Sequence, residues 1–265
     1  MNQQKIFFIG AGKMATAIVK GMLKKGFKPE QIAAFDISLD AIAEFQQATG
    51  LRIAAEEAIA DADTVVIAVK PQMLHAALAS KKGILQKKLI ISIAAGVSLM
   101  KIGELTGSKR LVRVMPNIPA LIGAGVSGYA ISPDTDERDV QATQEILGSI
   151  GISECVSEKM LDAITGLSGS GPAYVFDFIQ ALADGGVTAG LPRTTALRLA
   201  AATVAGAAKL VQESGSHPSA LRDQVMSPGG TTAEGIKVLE CGGFRGLVME
   251  AVIAAACKSE SLTKQ

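Results

Sequence analysis

An α/β chain in two parts, a parallel sheet with helices followed by an all-helical half, is predicted by three observations. Strand-like and helix-like segments alternate over residues 1–157, the pattern of a parallel sheet with helical crossovers. From Glu158 onward the strand signals vanish, and the rest is rich in Ala, Leu and Gly with helical periodicity. A glycine-rich turn joins the first strand signal to the first helix signal. These set one domain over 1–157 and a second, helical one over 158–265.

The strand-like runs are KIFFIG, QIAAFD, TVVIAV, KLIISI and RLVRVM, then GVSGYAIS and ISECVS. Between the first two, KMATAIVKGMLKKG places Ala15, Ile18, Val19, Met22 and Leu23 on one helical face. Gly26 follows where a left-handed cap is wanted. The run DTVVIAVKP stops at Pro71, because proline cannot donate to a sheet ladder. In the second half Tyr174, Phe178 and Leu182 recur every fourth residue. RLAAATVAGAAKLV and RGLVMEAVIAAACK are apolar nearly all round, and such helices must be buried on most faces. Residues 158–265 supply too little material to cover them, which implies a second subunit and symmetric dimerisation.

Of the 265 residues 48% are hydrophobic, with no Trp and two Tyr, so the core must be aliphatic and Met. A net charge of +1 gives no reason to expect nucleic acid or an anionic membrane as partner. No apolar run reaches the ~18 residues of a membrane span; GLVMEAVIAAAC (Gly246–Cys257) is too short and holds Glu250. The start, MNQQKIFFIGAG, lacks the basic segment and cleavage site of a signal peptide. Cys155, Cys241 and Cys257 are widely spaced and there are two histidines. That argues against a zinc or other metal site and reads as free thiols in a reducing cytoplasm.

Gly10-Ala11-Gly12-Lys13-Met14-Ala15 has the G-x-G-x-x-A spacing of a Rossmann dinucleotide-binding turn. Gly10 permits the tight turn, Gly12 lets a pyrophosphate approach the backbone, and Ala15 packs the helix on the sheet. Asp36 ends the second strand, where an acid takes a ribose 2′-hydroxyl and repels a 2′-phosphate. Ser38 could hydrogen-bond a phosphate, but no Arg lies between Asp36 and Gly50 to neutralise one.

A second loop, RDQVMSPGGTTAEG (Arg222–Gly235), lies in the helical half. Thr231 and Glu234 have capping-box spacing, so a helix is expected to begin at Thr232 with Thr231 as N-cap. A helix N-terminus after two glycines is a ready anion site that suits a carboxylate.

VKPQ (Val69–Gln72), SIAAGVS (Ser92–Ser98), MPNIPA (Met115–Ala120), TGLSGSGPAY (Thr165–Tyr174), HPSALRDQV, SPGGTT and GGFR run in order to near the C-terminus. With them the sequence resembles the pyrroline-5-carboxylate reductases over essentially the whole chain, SGSGPAY and SPGGTT being the most specific elements. The resemblance implies hydride transfer from NADPH or NADH to C5 of 1-pyrroline-5-carboxylate, a small cyclic imine, giving L-proline in the last step of proline biosynthesis. It implies a Rossmann domain and a helical dimerisation domain, with pentamers of dimers common, and active sites between one subunit's cofactor domain and the dimer's helices. Ile9, Gly10, Ala11, Gly12, Lys13 and Met14 would hold the pyrophosphate, and Ala68, Val69, Lys70 and Pro71 would line the cofactor. Ala94, Ala95, Gly96 and Asn117 would lie towards the nicotinamide. Amides of Gly230, Thr231 and Thr232 would receive the substrate carboxylate; Thr232, the catalytic candidate, would hydrogen-bond the ring nitrogen; Glu158 would lie near the substrate.

The chain departs from the family at Asp36, where relatives place a small polar residue near a 2′-phosphate, and at Gln224, where Asn is frequent. The choice between NADP and NAD stays open on the sequence. Two other readings compete. A β-hydroxyacid dehydrogenase would need a lysine four residues beyond its G-x-G, where this chain has Val175. A non-catalytic dinucleotide scaffold would have little reason to keep an amide-rich substrate loop. His75 and His217 sit in an apolar helix and a turn, and neither is assigned chemistry.

Overall fold

The chain is described by a computed structural model over residues 4–263. The first three residues, part of the start read above for a targeting signal, and the last two lie outside the described residues. Each strand-like run forms a strand: β1 (Ile6–Ile9), β2 (Ile32–Phe35), β3 (Thr64–Ile67), β4 (Leu89–Ser92), β5 (Leu111–Met115), β6 (Gly125–Ile131) and β7 (Gly151–Cys155). Among the described residues they make one sheet of order β2-β1-β3-β4-β5-β6-β7. Crossovers carry α1 (Lys13–Lys24), α2 (Leu39–Thr49), α3 (Leu74–Leu78), α4 (Lys82–Leu85), α5 (Leu99–Thr106) and α6 (Glu137–Leu147), and α7 (Leu161–Ile164) follows the last strand.

The sheet is parallel except at one place. β5 and β6 pair antiparallel, Val112 opposite Ile131, where a wholly parallel sheet was expected. The cause is the short connection over residues 116–124. A parallel crossover needs a dozen residues or more, so the chain can only turn back.

β1, β3 and β4 are buried along their whole length, as strands covered on both faces must be. Alternation sends Phe8, Val66, Ile91 and Val114 to one layer with Ile18, Val19 and Met22 of α1. Phe7, Ile9, Val65, Ile67 and Ile90 go to the other with Leu78, Leu85 and Ile102. Of the expected inner face of α1, Ala15, Ile18, Val19 and Met22 are buried and Leu23 is half-buried; each fully covered Ile, Val or Met contributes about 1.5–3 kcal/mol. Gly26 ends that helix at φ +91°. At the amino-terminal edge of the sheet Lys88 donates to the carbonyls of Ala60 and Ala62; burial lowers its pKa, opposed by Asp63 and Asp61.

The chain divides into two compact units: Met1–Ser170 with Ala254–Gln265, and Gly171–Ile253. The division falls beyond the expected 157/158 boundary because residues 158–170 and 254–263 join the unit that holds the sheet.

The second unit contains α8 (Gly171–Thr188), α9 (Arg193–Ser214), α10 (Pro218–Gln224), α11 (Thr231–Cys241) and the first half of α12 (Phe244–Thr263). Its buried core among the described residues is three alanines, Ala183, Ala196 and Ala200, with Ile179 and Val187 against them. Phe178 and Phe244 pack with their rings tilted by 36° and centroids 5.8 Å apart, and the Tyr174 hydroxyl donates to the Ala251 carbonyl at 3.3 Å. Phe176, Leu197, Leu199, Leu210, Leu247 and Met249 are exposed in the single chain, the uncovered apolar surface anticipated from the all-round apolar helices. No helix of the described residues is long and apolar enough to cross a membrane.

Candidate active site

The strand order reverses direction between β1 and β3, and their carboxyl ends open the crevice where open α/β sheets bind ligands. Most of the expected cofactor residues follow those ends. Ile9 closes β1; Ala68 donates to its carbonyl at 2.8 Å and leads the loop Ala68–Pro71 out of β3. Ala94, Ala95 and Gly96 follow β4, Asn117 follows β5, and Asp36 follows β2.

Gly10 has φ +105°, and a Cβ there would stand 2.8 Å from the backbone of Ala68. Only glycine fits between the two strand ends. Gly12 is the N-cap of α1 with ordinary extended angles, and a Cβ there would meet nothing within 4 Å. The space above Gly12 is open, and the first-turn amides of α1, starting at Lys13 and Met14, have no partner inside the helix. An open face over uncommitted amides fits a pyrophosphate. Asp36 is half-buried, and both carboxylate oxygens are engaged: Oδ2 accepts from Ala11 N at 2.7 Å and Oδ1 from Ser38 N at 2.9 Å.

Beyond this loop, still within the first unit, lies a cavity of about 430 Å³. Ala94, Ala95, Gly96 and Pro71 line one side, and Met115, Thr165 and Ser170 another. Lys258, Ser259 and Leu262 from the end of α12 complete it. The TGLSGSG stretch reaches the cavity through a π-turn over Thr165–Gly169. Gly169 packs against Met115, whose Cε would lie 2.6 Å from an added Cβ and would have to move aside for one. Such turns recur at functional sites.

Two expected residues have structural partners. The Asn117 amide donates to the Ser168 carbonyl at 3.0 Å and accepts from Val126 N at 2.8 Å; it braces the loops around the cavity. Glu158 Oε1 accepts from Leu99 N at 2.7 Å, capping α5, and pairs with Arg113 Nη1 at 3.0 Å. Arg113 lines the cavity yet is only 7% exposed at its side chain. The sequence reading missed it. A lone cation inside the apolar strand LVRVM was the available signal, because a buried charge implies a partner. The α12 residues carried no such signal.

In the second unit the SPGGTT loop differs by one residue from expectation. α11 begins at Thr231 and its N-cap is Gly230, at φ −79° and ψ 167°, with no side-chain cap. The Gly230 carbonyl accepts from Ala233 N at 3.1 Å and Glu234 N at 3.4 Å. With Gly230 as N-cap, Thr231 is already the first helical residue and Glu234 falls one position too late for a capping box. A turn bond from Gly230 N to the Ser227 carbonyl, 3.0 Å, makes glycine the last residue before the helix. It also commits the Gly230 amide expected to meet a carboxylate. The first-turn amides of Thr231 and Thr232 remain without an intrahelical acceptor.

Comparison with known proteins agrees with this geometry. The family described as "Pyrroline-5-carboxylate reductase dimerisation" matches residues 158–262, and "NADP oxidoreductase coenzyme F420-dependent" matches residues 5–96. A pyrroline-5-carboxylate reductase of Methanosarcina acetivorans is 45% identical, each chain covered completely. The solved structure of a pyrroline-5-carboxylate reductase from Coxiella burnetii superposes with a TM-score of 0.94 at 36% identity, covering 100% of both chains. That of Plasmodium falciparum pyrroline carboxylate reductase, with NADP bound, gives 0.88 at 35% identity and covers 99% of each. A Rossmann-type first domain, a dimerisation domain after it and full-length relatives under one name lead to one conclusion: the chain belongs to the pyrroline-5-carboxylate reductase family.

Proposed function

We propose that the chain reduces 1-pyrroline-5-carboxylate to L-proline, the last step of proline biosynthesis, at the expense of NADPH or NADH. The observation that carries this reading is the first turn of α11, where two uncommitted amides and the Thr232 hydroxyl meet after a glycine pair. Such a turn offers an anion seat and a neutral hydrogen-bonding group side by side, which matches a ring bearing both a carboxylate and a nitrogen.

The nicotinamide, when bound, supplies the hydride that adds to C5. Ile9 to Met14 hold its pyrophosphate at the α1 amides, Ala68–Pro71 line it, and Ala94–Gly96 shape the nicotinamide side. Asn117 lies towards the nicotinamide and Glu158 near the substrate, each held in place by its protein partners. Thr231 and Thr232 amides hold the carboxylate, Gly230 keeps the turn clear of side chain, and the Thr232 hydroxyl orients the ring nitrogen. Alignment supplies much of the rate, since effective molarities of well-oriented groups are very large. The imine is most electrophilic when protonated, so a strong acid at Thr232 is not needed, and water can carry the proton. Arg113 beside the cavity does not oppose a cationic imine, because Glu158 neutralises it.

The functional division of the chain, cofactor domain over 1–157 and dimerisation and substrate domain over 158–265, belongs to this reading. So do a homodimer through the helical half, its assembly into pentamers of dimers, and a cytoplasmic setting, which suits the free thiols of Cys155, Cys241 and Cys257. The test is oxidation of NADH and NADPH by purified protein, each with and without pyrroline-5-carboxylate. Substrate-dependent oxidation with proline as product supports the reading. Tight cofactor binding without turnover overturns it in favour of a dinucleotide scaffold.

A further inference from the structure

We infer that Asp36 makes this chain selective for NADH over NADPH by filling, with its own carboxylate, the anion seat that a 2′-phosphate would need. The inference rests on the dinucleotide site proposed above and concerns only its adenosine end.

Three features of the loop after β2 carry it. The first is the placing of the acid. Oδ2 is held by Ala11 N at 2.7 Å, from the glycine turn itself, while Gly10 N donates to the Phe35 carbonyl at 2.8 Å. The carboxylate is therefore fixed against the phosphate-binding turn and cannot swing away without giving up that bond. The second is the N-terminus of α2. The Ser38 amide, one of the donors a phosphate would seek there, already donates to Asp36 Oδ1 at 2.9 Å. The Ser38 side chain is the N-cap, accepting from Ala41 N at 3.3 Å. What would be a phosphate site thus carries an internal anion, and Asp40 in the first turn of α2 adds a second. The third is the want of a counter-charge. No Lys or Arg occurs from Asp36 to Leu51; Arg52 follows α2, whose eleven residues span about 16 Å along the axis.

A ribose with a free 2′-hydroxyl can donate to this carboxylate, which has spare lone pairs on both oxygens. A 2′-phosphate brings close to two negative charges to the same place. Even at an effective dielectric of about 20, repulsion at contact range is far more than the ~1.4 kcal/mol that makes a tenfold change in affinity. This sets the chain apart from the Plasmodium falciparum relative, whose structure holds NADP.

The experiment is direct titration of the full-length protein with NADH and with NADPH, followed by nicotinamide fluorescence, alongside kcat/KM for each with pyrroline-5-carboxylate. NADH should bind at least about tenfold tighter. Asp36→Asn keeps an acceptor for the Ala11 amide and removes the charge, so it should erase most of that ratio by strengthening NADPH. Asp36→Ser is the second variant and should move the ratio the same way. A wild type that binds NADPH as well as NADH, or an Asp36→Asn ratio equal to wild type, overturns the assignment. So does a Lys13→Met variant that loses NADPH alone, since Lys13 on the glycine turn would then be holding a 2′-phosphate. The binding ratio needs no turnover. Preference for NADH without imine reduction would leave this assignment standing and remove the reductase reading; reduction with NADPH preferred would do the reverse.

Discussion

Replacing Gly12 by alanine separates the protein's need for that glycine from the cofactor's. Gly12 has φ −70° and ψ −178°, angles any residue adopts, and an added Cβ would meet no atom within 4 Å. Folding stability should therefore change by less than about 0.5 kcal/mol, as for an unstrained surface substitution. The new methyl stands where a pyrophosphate must come within hydrogen-bonding distance of the α1 amides. Pushing the phosphates outward breaks about two charge-assisted bonds worth roughly 1.5–3 kcal/mol each, a loss of about a hundredfold or more in affinity. Gly10→Ala is the contrast: at φ +105° and 2.8 Å from Ala68, it should lower stability itself by about 1–3 kcal/mol. The assay is cofactor titration by nicotinamide fluorescence, paired with urea unfolding at fixed protomer concentration. A Gly12→Ala protein that unfolds as wild type yet binds either dinucleotide with unchanged Kd would remove the glycine turn from the cofactor site.

Three further outcomes are expected. Thr232→Ala should lower kcat by about ten- to a hundredfold, the cost of about one hydrogen bond to the reacting ring, with the oligomer intact by light scattering; unchanged kcat and KM would exclude Thr232 from the mechanism. Gly230→Val should abolish substrate saturation while leaving cofactor affinity alone, because its side chain would collide with the Ser227 hydroxyl and displace the α11 turn; normal KM would sink the carboxylate seat. Glu158→Gln should cost about 1–3 kcal/mol in urea unfolding, leaving the buried Arg113 guanidinium without its counter-charge, a figure set below that of a fully buried pair because Glu158 is a third exposed. An unfolding midpoint equal to wild type would show that the pair carries no stability.

What could be read from residues alone follows the range of the forces involved. Strands such as TVVIAV and KLIISI announce themselves because both faces are buried, so apolar residues run without a break. The glycine turn was legible since its demands are local: one position needs positive φ and another needs open space. The antiparallel β5–β6 pair was not, although the length of residues 116–124 held the clue. At α11 the expected N-cap was displaced by one residue, because a turn bond between Gly230 and Ser227 outranked the side-chain spacing of Thr231 and Glu234. Arg113 and the α12 wall escaped altogether, their partners lying far off in the chain.

That distance bears on how the protein is made. The Ser259 hydroxyl reaches Asp162 at 2.7 Å across 97 positions of sequence, and Arg113 reaches the Thr263 hydroxyl at 3.4 Å across 150. On the ribosome the sheet can assemble from local crossovers while the helical half is still unsynthesised, since domains form from the N-terminus onward. The wall of the cavity from residues 254–263 closes only after nearly everything between has emerged, and such remote contacts are the slow ones. For much of its synthesis the nascent chain therefore holds a finished glycine turn beside an unfinished cavity: on the proposed function, the grip on a dinucleotide forms before the wall that completes the cavity.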